Sequence, residues 1–314
     1  MTTTESRSPG QGSLLPYGAP YLIGDPASAR RELTELRRAL AAAGVVAEAA
    51  VARPLRRAGA IAERALEGGA RFLVAVGCDP VAHAIVERLV GPEGPRVPDA
   101  VLGLAGLGRQ DLAATFGLPE DAERAARHLL GPTLFLADVG RARWRGPDGA
   151  ERTAVFANCA ELGYPAEVSS RTPGLTWAGR FGRFAAALGA LTRTRSTPAE
   201  LRLARGTVEL RLAGLVVANG QFSMGRMKVA PRALPDDGRM SVIAFQGQPL
   251  AIYSRSKELY YGEHIPHPSV REYQTERVEV ATAEPLALAL DGQRMSGGPP
   301  LAVDVLPKVL RVKV

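Results

Sequence analysis

The segment 19–131 alternates between strand-like and helical patterns, and this alternation limits the fold more than any other feature. Short apolar runs such as YLIG and FLVAV each lead into a helical pattern, which is clearest at Leu33, Leu36 and Leu40. Repeated strand–helix units pack as a parallel sheet with helices on both faces. The alternation therefore predicts an α/β domain of three layers over 19–131.

The pattern changes near residue 132, where strand-like segments begin to follow one another and the turn signal RGPDG joins the first two. A β-rich domain is predicted over 132–314. Whether its last strands return to the first domain is left open. One amphipathic helix interrupts the strands, and we interpret its large apolar stripe as core packing. The stripe consists of Trp177, Phe181, Phe184, Leu188 and Leu191.

Composition excludes several classes of protein. The chain has 314 residues, of which 46% are hydrophobic and 23% charged, as in soluble globular proteins. No apolar stretch approaches the ~20 residues of a membrane helix, so no transmembrane segment is predicted. The net charge of +7 comes from scattered arginines, and aromatic residues make up only 5%, which argues against a nucleic-acid partner.

The cysteines and the N-terminal residues bear on location. Cys78 and Cys159 are the only two cysteines, too few for a disulfide framework or a Cys-x-x-Cys metal site. Residues 1–18 lack the charged and apolar regions of an export signal and are expected to form a flexible tail. A cytoplasmic protein is therefore expected.

Several segments, taken in order, resemble the diacylglycerol kinase and sphingosine kinase family of lipid kinases, including its soluble bacterial members. VAVGCDPV stands where that family has Gly-Gly-Asp-Gly-Thr, and LGLAGLGRQDLAATFG stands at its Pro-x-Gly-Thr-x-Asn-Asp-Phe-Ala segment. NCAELGYPAEV, MGRMKVAPRALPDDG and LALALDGQ match later segments of the family. The resemblance implies a nucleotide-binding α/β domain, a β-sandwich-like domain after it, and an active site in the cleft between them.

The resemblance also implies the transfer of the ATP γ-phosphoryl group, with Mg²⁺, to a hydroxyl of a lipid or a hydrophobic small molecule. In the first phosphate loop Gly77 and Asp79 persist, while Cys78, Pro80 and Val81 replace two glycines and a threonine. Glycine lets the backbone approach a phosphate closely, and proline has no N–H to donate. The motif is degenerate at this loop.

The other nucleotide segments are changed as well. Gly108 and Asp111 remain in the second loop, whereas Gln110 replaces an asparagine. Upstream, Ser28 is kept but Asp25 replaces the family's asparagine. The resemblance thus places Gly77, Ser28, Gly108 and Asp111 around the nucleotide.

Two interpretations are open for Arg109, which follows Gly108. Its guanidinium could replace the lost N–H donors toward a phosphate. The other reading is a solvated charge near the start of a helix.

The catalytic candidates each have a structural alternative. The resemblance makes Asp291 the general base, although Gln293 replaces the neighbouring glutamate and a plain turn also explains an Asp-Gly pair. Asp79 is placed near the metal and phosphate, or it only starts a helix before Pro80. His83 stands where the family has asparagine and is a candidate for acid–base work or an exposed histidine.

Two further residues have weaker assignments. Relatives hold a structural Mg²⁺ with the aspartate that matches Asp237, whose oxygen chemistry suits a hard cation, although a turn before Gly238 is the alternative. Cys78 has no activating partner in the sequence that would make it a nucleophile.

Three hypotheses remain open. The first is an ATP-dependent lipid kinase, and the second is a diverged enzyme that uses the cleft for non-kinase chemistry on a hydrophobic secondary metabolite, without ATP. The third is a non-catalytic binding protein, a pseudokinase in function. Peripheral membrane contact and a homodimer are left open.

Overall fold

The computed structural model describes residues 16–27, 31–107, 110–172 and 179–314. In the first half these residues form, in chain order, β1 (Tyr21–Gly24), α1 (Glu32–Ala42), β2 (Glu48–Val51), α2 (Ala58–Glu67), β3 (Phe72–Val76), α3 (Asp79–Leu89), β4 (Val90–Gly91), β5 (Gly94–Pro95), β6 (Val101–Ala105), α4 (Asp111–Thr115) and α5 (Ala122–Leu130). Among the described helices, none is both long and apolar enough to cross a membrane.

The first half is a parallel sheet covered on both faces. Its strands lie in the order β2, β1, β3 and β6, all parallel. Successive residues of β3 alternate between the two faces, so Leu73 packs with α2 and α3 while Phe72 and Val74 pack with α1 and α5. The predicted three-layer α/β domain is confirmed.

The second half is mostly antiparallel. It contains β7 (Leu134–Arg145), β8 (Glu151–Phe156), β9 (Cys159–Gly163), α6 (Tyr164–Ser169), α7 (Gly179–Leu191), β10 (Thr197–Leu203), β11 (Gly206–Ala218), β12 (Met240–Gln246), α8 (Pro249–Ser254), α9 (Ser256–Tyr261), β13 (Val270–Thr275), β14 (Arg277–Thr282), β15 (Leu288–Leu290), β16 (Gln293–Arg294) and β17 (Gly298–Lys313). The predicted β-rich second half is confirmed.

The last strand, β17, joins the two halves. It pairs antiparallel with β7 and β14 of the second half. Near its end Val312 also pairs, in parallel, with Leu102 of β6, which makes β17 the next strand of the first-half sheet. The hydrogen-bonded network of strands is therefore continuous from one half to the other.

The interpretation of the helical apolar stripe as core is wrong for Phe181, Phe184 and Leu188 of α7, whereas Leu191 at the end of the helix packs against the core. Phe181 is 82% exposed, and Phe184 and Leu188 are about half exposed. The opposite face is buried and consists of small residues, including Ala186 and Ala190. Small residues allow α7 to lie close to α6, so the helix buries its alanines instead of its aromatics. Trp177 lies outside the described residues.

Candidate functional site

The candidate site lies at the carboxyl ends of the parallel strands, where ligands of open α/β sheets bind. Asp25 follows β1, Gly77 follows β3, and Gln110 and Asp111 come soon after β6. Asp291 is added from the second half, directly after β15. The fold thus gathers four of the predicted site residues at one edge of the sheet, namely Gly77, Asp79, Asp111 and Asp291.

The first loop directs its backbone donors to acceptors of this chain. Gly77 has a φ of +109°, which glycine adopts without strain, and its N–H donates to the Ala105 carbonyl at 3.2 Å. The N–H of Cys78 donates to the Asp25 carboxylate at 2.9 Å. The N–H of Val81 donates to the Cys78 carbonyl at 3.1 Å, and Pro80 has no N–H. Little donor capacity of this loop remains for an anion.

Asp79 caps a neighbouring helix. Its two carboxylate oxygens accept the N–H groups of Asp111 at 2.8 Å and Leu112 at 3.0 Å, which begin α4. Burial raises the pKa of Asp79 well above its ordinary value, and the nearby charge of Asp111 adds to this effect. Asp79 therefore links the first loop to the second.

The Asp111 carboxylate binds a backbone turn of the second half. Its carboxylate accepts the N–H groups of Gly225 at 3.0 Å and Arg226 at 2.5 Å. Met224, Gly225 and Arg226 all have positive φ, of 55°, 82° and 75°, an arrangement that is costly for residues other than glycine. The nearly intact MGRM segment thus forms a strained turn whose N–H groups point at a buried carboxylate.

Asp291 is enclosed by hydrogen-bond donors. Its carboxylate accepts the N–H groups of Ala157, Asn158 and Cys159 at 2.8 to 3.0 Å. It also lies 3.0 Å from His83 Nδ1. Asp291 is 3% exposed and has a φ of +45°. Both oxygens are occupied, so its carboxylate is held as a structural acceptor in this arrangement.

His83 is buried, not exposed, and pairs with that carboxylate. Burial lowers the pKa of His83, but the hydrogen bond and charge of Asp291, together with Glu87, outweigh burial and raise it. Nδ1 faces Asp291, and Nε2 lies 3.9 Å from the Glu87 carboxylate. Acidic groups on both sides of the ring favour the imidazolium form.

Glu161 is a site residue that sequence reasoning missed. It is fully buried in β9, and its carboxyl oxygens contact the hydroxyls of Ser169 and Ser223. Burial raises its pKa from 4.5 to about 8. The Ser169 hydroxyl also lies 3.0 Å from the Pro165 carbonyl. It can therefore donate a hydrogen bond to that carbonyl while it accepts one from the protonated Glu161 carboxyl group. The signal available in the sequence was a lone acid inside the apolar strand CAELG.

These side chains line one small cavity between the two halves. Its volume is about 40 Å³, and its wall includes Asp79, Asp111, Glu161 and Asp291. Such a volume suits about one water molecule. The described residues therefore form a narrow acidic site in place of an open phosphate cradle.

Of the remaining predicted site residues, only Asp237 belongs to the described part of the chain. Asp237 is exposed, and its carboxylate accepts the N–H of Arg239 at 2.9 Å within its own turn. Ser28, Gly108 and Arg109 lie outside the described residues. Asp138, which the sequence did not single out, is fully buried and accepts the N–H groups of Gly238 and Lys308, both at 2.7 Å.

The fit of ATP and a metal ion can be judged from the donors present. A triphosphate needs N–H or cationic donors, whereas the N–H groups of Gly77, Cys78 and Val81 in the first loop are occupied. Pro80 has no N–H, and the Asp25 carboxylate lies beside the loop. Within the described ranges, His, Cys, Asp and Glu side chains form no group of three that could hold a metal ion. The described loop residues therefore do not fit a metal–triphosphate group.

Comparison with known proteins places the chain in a family. Residues 158–314 match the family described as "YegS C-terminal NAD kinase beta sandwich-like domain". "Probable lipid kinase YegS" of Shigella dysenteriae serotype 1 (strain Sd197) is 23% identical over 257 residues, covering 80% of this chain and 81% of that protein. The protein of the same name from Escherichia coli (strain SMS-3-5 / SECEC) is 22% identical over the same shares.

A solved structure, of a diacylglycerol kinase from Bacillus anthracis str. Sterne, has the same fold. It superposes with a TM-score of 0.66 at 14% identity and covers 94% of this chain and 96% of its own. The family match spans half of this chain and includes the second-half residues of the candidate site, among them Glu161, Ser223 and Asp291. The protein is lipid-kinase-like, and the chain belongs to the YegS and diacylglycerol kinase-like family.

Proposed function

We propose that this lipid-kinase-like protein binds an apolar, hydroxylated small molecule or lipid with its hydroxyl at the small acidic cavity, which has room for little more than that group, and does not use ATP there. The observation that carries the proposal is the hydrogen bond from the Cys78 N–H to the Asp25 carboxylate. A carboxylate in this position occupies a donor and repels a phosphate. Pro80 removes a second N–H from the same loop.

The charge of the cavity wall supports the same proposal. Asp79, Asp111, Glu161 and Asp291 face one cavity, and Asp25 lies directly behind the loop. A polyphosphate carries several negative charges, and the described residues that line this wall include no lysine or arginine to balance them, whether or not the carboxyl groups are protonated. A neutral ligand adds none, and its hydroxyl can donate to the carboxyl groups.

The chemistry that this wall offers is proton transfer to or from a bound hydroxyl. Glu161 and Asp79 both have raised pKa values, so they hold protons at higher pH than ordinary carboxyl groups. Asp291 and His83 neutralise each other and position the backbone at 157–159. Mg²⁺ at Asp237 is a separate structural proposal, which the resemblance alone supplies.

Calorimetry with Mg-ATP tests the proposal on the full chain. We expect no heat of binding and no thermal shift at millimolar nucleotide. In the double variant Asp25→Asn/Pro80→Gly, which removes the negative charge beside the loop and adds one N–H, we expect binding to appear. Asp99→Asn, which removes an exposed carboxylate of the same half, is the control and should leave the result unchanged. Saturable Mg-ATP binding by the unaltered protein would refute the proposal.

The ligand itself can be sought by native mass spectrometry of the purified protein. We expect a co-purified neutral, apolar molecule whose binding is independent of nucleotide. Substitution of Ser223 by Leu at the cavity wall should reduce its occupancy, whereas Ser254→Leu on α8 should not. Equal occupancy in both variants would place the ligand outside the cleft.

The kinase remains the second candidate because Asp79, Asp111 and Asp291 lie on one cavity wall, as the resemblance implies. This candidate predicts ADP release with Mg-ATP and a hydroxylated apolar acceptor. It also predicts that Asp291→Ala abolishes the release. Absence of ADP release across such acceptors would leave the first proposal standing.

A further inference from the structure

A second cavity lies within the second half and shares none of the described residues that line the acidic one. Its volume is about 460 Å³, which is within the range of cavities that bind small molecules. Three segments enclose it: the start of α6, residues 193–197 leading from α7 into β10, and residues 284–287 leading from β14 to β15. We call it the arginine cavity.

The wall of the arginine cavity carries guanidinium groups that no carboxylate neutralises. Arg193 and Arg195 line it and are exposed, and within the described part of the chain neither forms an ion pair. Arg193 Nη1 donates to the Gly189 carbonyl at 3.0 Å, which anchors this side chain at the end of α7. Arg211 of β11 donates to the Ser196 carbonyl at 3.3 Å and so adds a third positive charge beside the cavity.

The two glutamates of the wall do not cancel this charge. Glu167 pairs with both Arg171 and Arg294, so two guanidinium groups already face one carboxylate. Glu284 is exposed to water, which screens its charge. Five arginines at and beside the wall therefore stand against two glutamates, and the arginine cavity attracts anions.

Two hydroxyl groups of the wall identify the anion more closely. Thr194 is 6% exposed, and among the described residues neither its hydroxyl oxygen nor that of Ser196 has a hydrogen-bond partner. Buried hydroxyls normally have a partner, and a bound acceptor would supply one. Thr197 in the same wall shows the ordinary case, because its hydroxyl accepts the N–H of Glu284 at 3.0 Å.

The number of donors and the size of the cavity both favour a phosphate ester. Two guanidinium groups and two hydroxyls can be satisfied by the three terminal oxygens of a phosphate monoester, whereas a carboxylate offers only two oxygens. A phosphate ion alone would fill only part of the volume. The rest of the wall is apolar and consists of Pro285, Leu286 and Ala287.

We propose that the arginine cavity binds the phosphate monoester of a small, partly apolar molecule. Arg193 and Arg195 bind the phosphate oxygens, to which the hydroxyls of Thr194 and Ser196 donate. The ester group packs against Leu286 and its neighbours. α6 contributes to both cavities, with Glu167 here and Ser169 at the acidic cavity, so a bound ester contacts the helix that forms part of the cleft. The site is independent of whether the cleft uses ATP.

Calorimetry with phenyl phosphate tests the site on the full chain. We expect one molecule to bind with a Kd below about 1 mM, and more weakly as salt rises. Inorganic phosphate, which lacks the apolar group, and benzoate, which lacks an oxygen, should both bind more weakly. Arg193→Gln/Arg195→Gln should lower the affinity by about tenfold or more. Arg205→Gln is the matched control because Arg205 is also exposed and follows the other end of β10.

Thr194→Val separates binding from folding. The substitution keeps the shape of the side chain and removes a hydroxyl that has no partner among the described residues. We expect an unfolding temperature that does not fall and an affinity for phenyl phosphate that falls about fivefold. The arginine double variant leaves the acidic cavity unaltered, so it also distinguishes a nucleotide held by this cavity from one held in the cleft.

Dihexanoyl phosphatidic acid, offered as a monomer, carries the same phosphate group on a lipid. Tighter binding of this lipid than of phenyl phosphate would overturn the assignment to a small soluble ester. Benzoate that binds as tightly as phenyl phosphate would overturn the assignment to a phosphate. The site itself is refuted if phenyl phosphate gives no saturable heat, or if the arginine double variant and Thr194→Val both bind it as the unaltered protein does.

Discussion

At the scale of single residues, buried carboxyl groups govern how the protein responds to pH, and Glu161 is the clearest case. Its pKa is raised from 4.5 to about 8 because the folded protein buries it. The folded state therefore binds more protons than the unfolded state between these two pH values. The stabilising contribution is complete below pH 4.5 and is lost as the pH rises toward 8, at up to about 1.4 kcal/mol per pH unit.

Glu161→Gln tests this assignment. The neutral amide can donate to Ser169 and accept from Ser223, so it keeps both contacts without a titrating group. We expect the variant to be more stable than the unaltered protein at pH 8 and to show a flatter stability profile from pH 5 to pH 8. Urea unfolding across this range measures the difference. An unchanged slope in the variant would assign the titration to another group.

His83 contributes a second titration in the same direction. Its folded pKa is raised above 6.5, so its stabilising ion pair with Asp291 is present below pH 6.5 and is lost as the pH rises through the folded value. We expect His83 to remain protonated above pH 6.5 in the folded protein, as followed by the NMR shifts of its imidazole protons. Asp291→Asn should lower this pKa, whereas Asp304→Asn, which removes a carboxylate paired with Arg141 and Arg143, should leave it unchanged. A His83 that titrates below 6.5 would contradict the pairing.

The sequence located these carboxylates but did not reveal what they bind. The motif resemblance predicted that Asp79, Asp111 and Asp291 lie in one cleft. It could do so because each of these motifs follows the end of a strand, and these strand ends lie close together. Their partners are backbone N–H groups of distant segments, and no side-chain pattern reports such bonds. Glu161 was missed for the same reason, since its two serine partners lie 8 and 62 positions away along the chain.

At the scale of elements, two aspartates connect three segments in series. Asp79 of α3 caps α4, and Asp111 of α4 holds the turn at Gly225 and Arg226. These hydrogen bonds therefore connect the first loop, through α4, to a turn of the second half. Periodicity predicted helix α3 correctly. It could not predict which face of α7 is buried, because the spacing of apolar residues shows which side chains share a face but not which element packs against that face.

Asp111→Ala tests the link between α4 and the turn. It removes two hydrogen bonds to a charged acceptor and leaves the N–H groups of Gly225 and Arg226 unsatisfied. We expect the free energy of unfolding to fall by about 3 kcal/mol. Glu120→Ala is the matched control because it removes an exposed ion pair of the same Arg226, and it should cost less than about 1 kcal/mol. Equal losses in the two variants, measured by urea unfolding, would mean that Asp111 does not hold the turn.

At the scale of the whole molecule, the final strand makes the two halves interdependent. β17 pairs with β7 and β14, which belong to the second half. At Val312 it also pairs with β6, which belongs to the first half. Leu310 and Val312 are buried in the same core as α2 and α3 of the first half. The acidic cavity lies between the halves, so its geometry depends on this connection.

Leu310→Ala should therefore weaken both halves together. The substitution leaves a cavity in the first-half core from a strand that the second half holds, and we expect a loss of about 2–5 kcal/mol. Tryptophan fluorescence, which comes from Trp144 and Trp177, follows the second half during thermal unfolding. Far-ultraviolet circular dichroism follows the helices, most of which cover the first-half sheet. Because β17 belongs to both halves, both signals should shift to lower temperature in a single shared transition. A fluorescence transition that stays in place while the helical signal moves would show that the halves unfold independently.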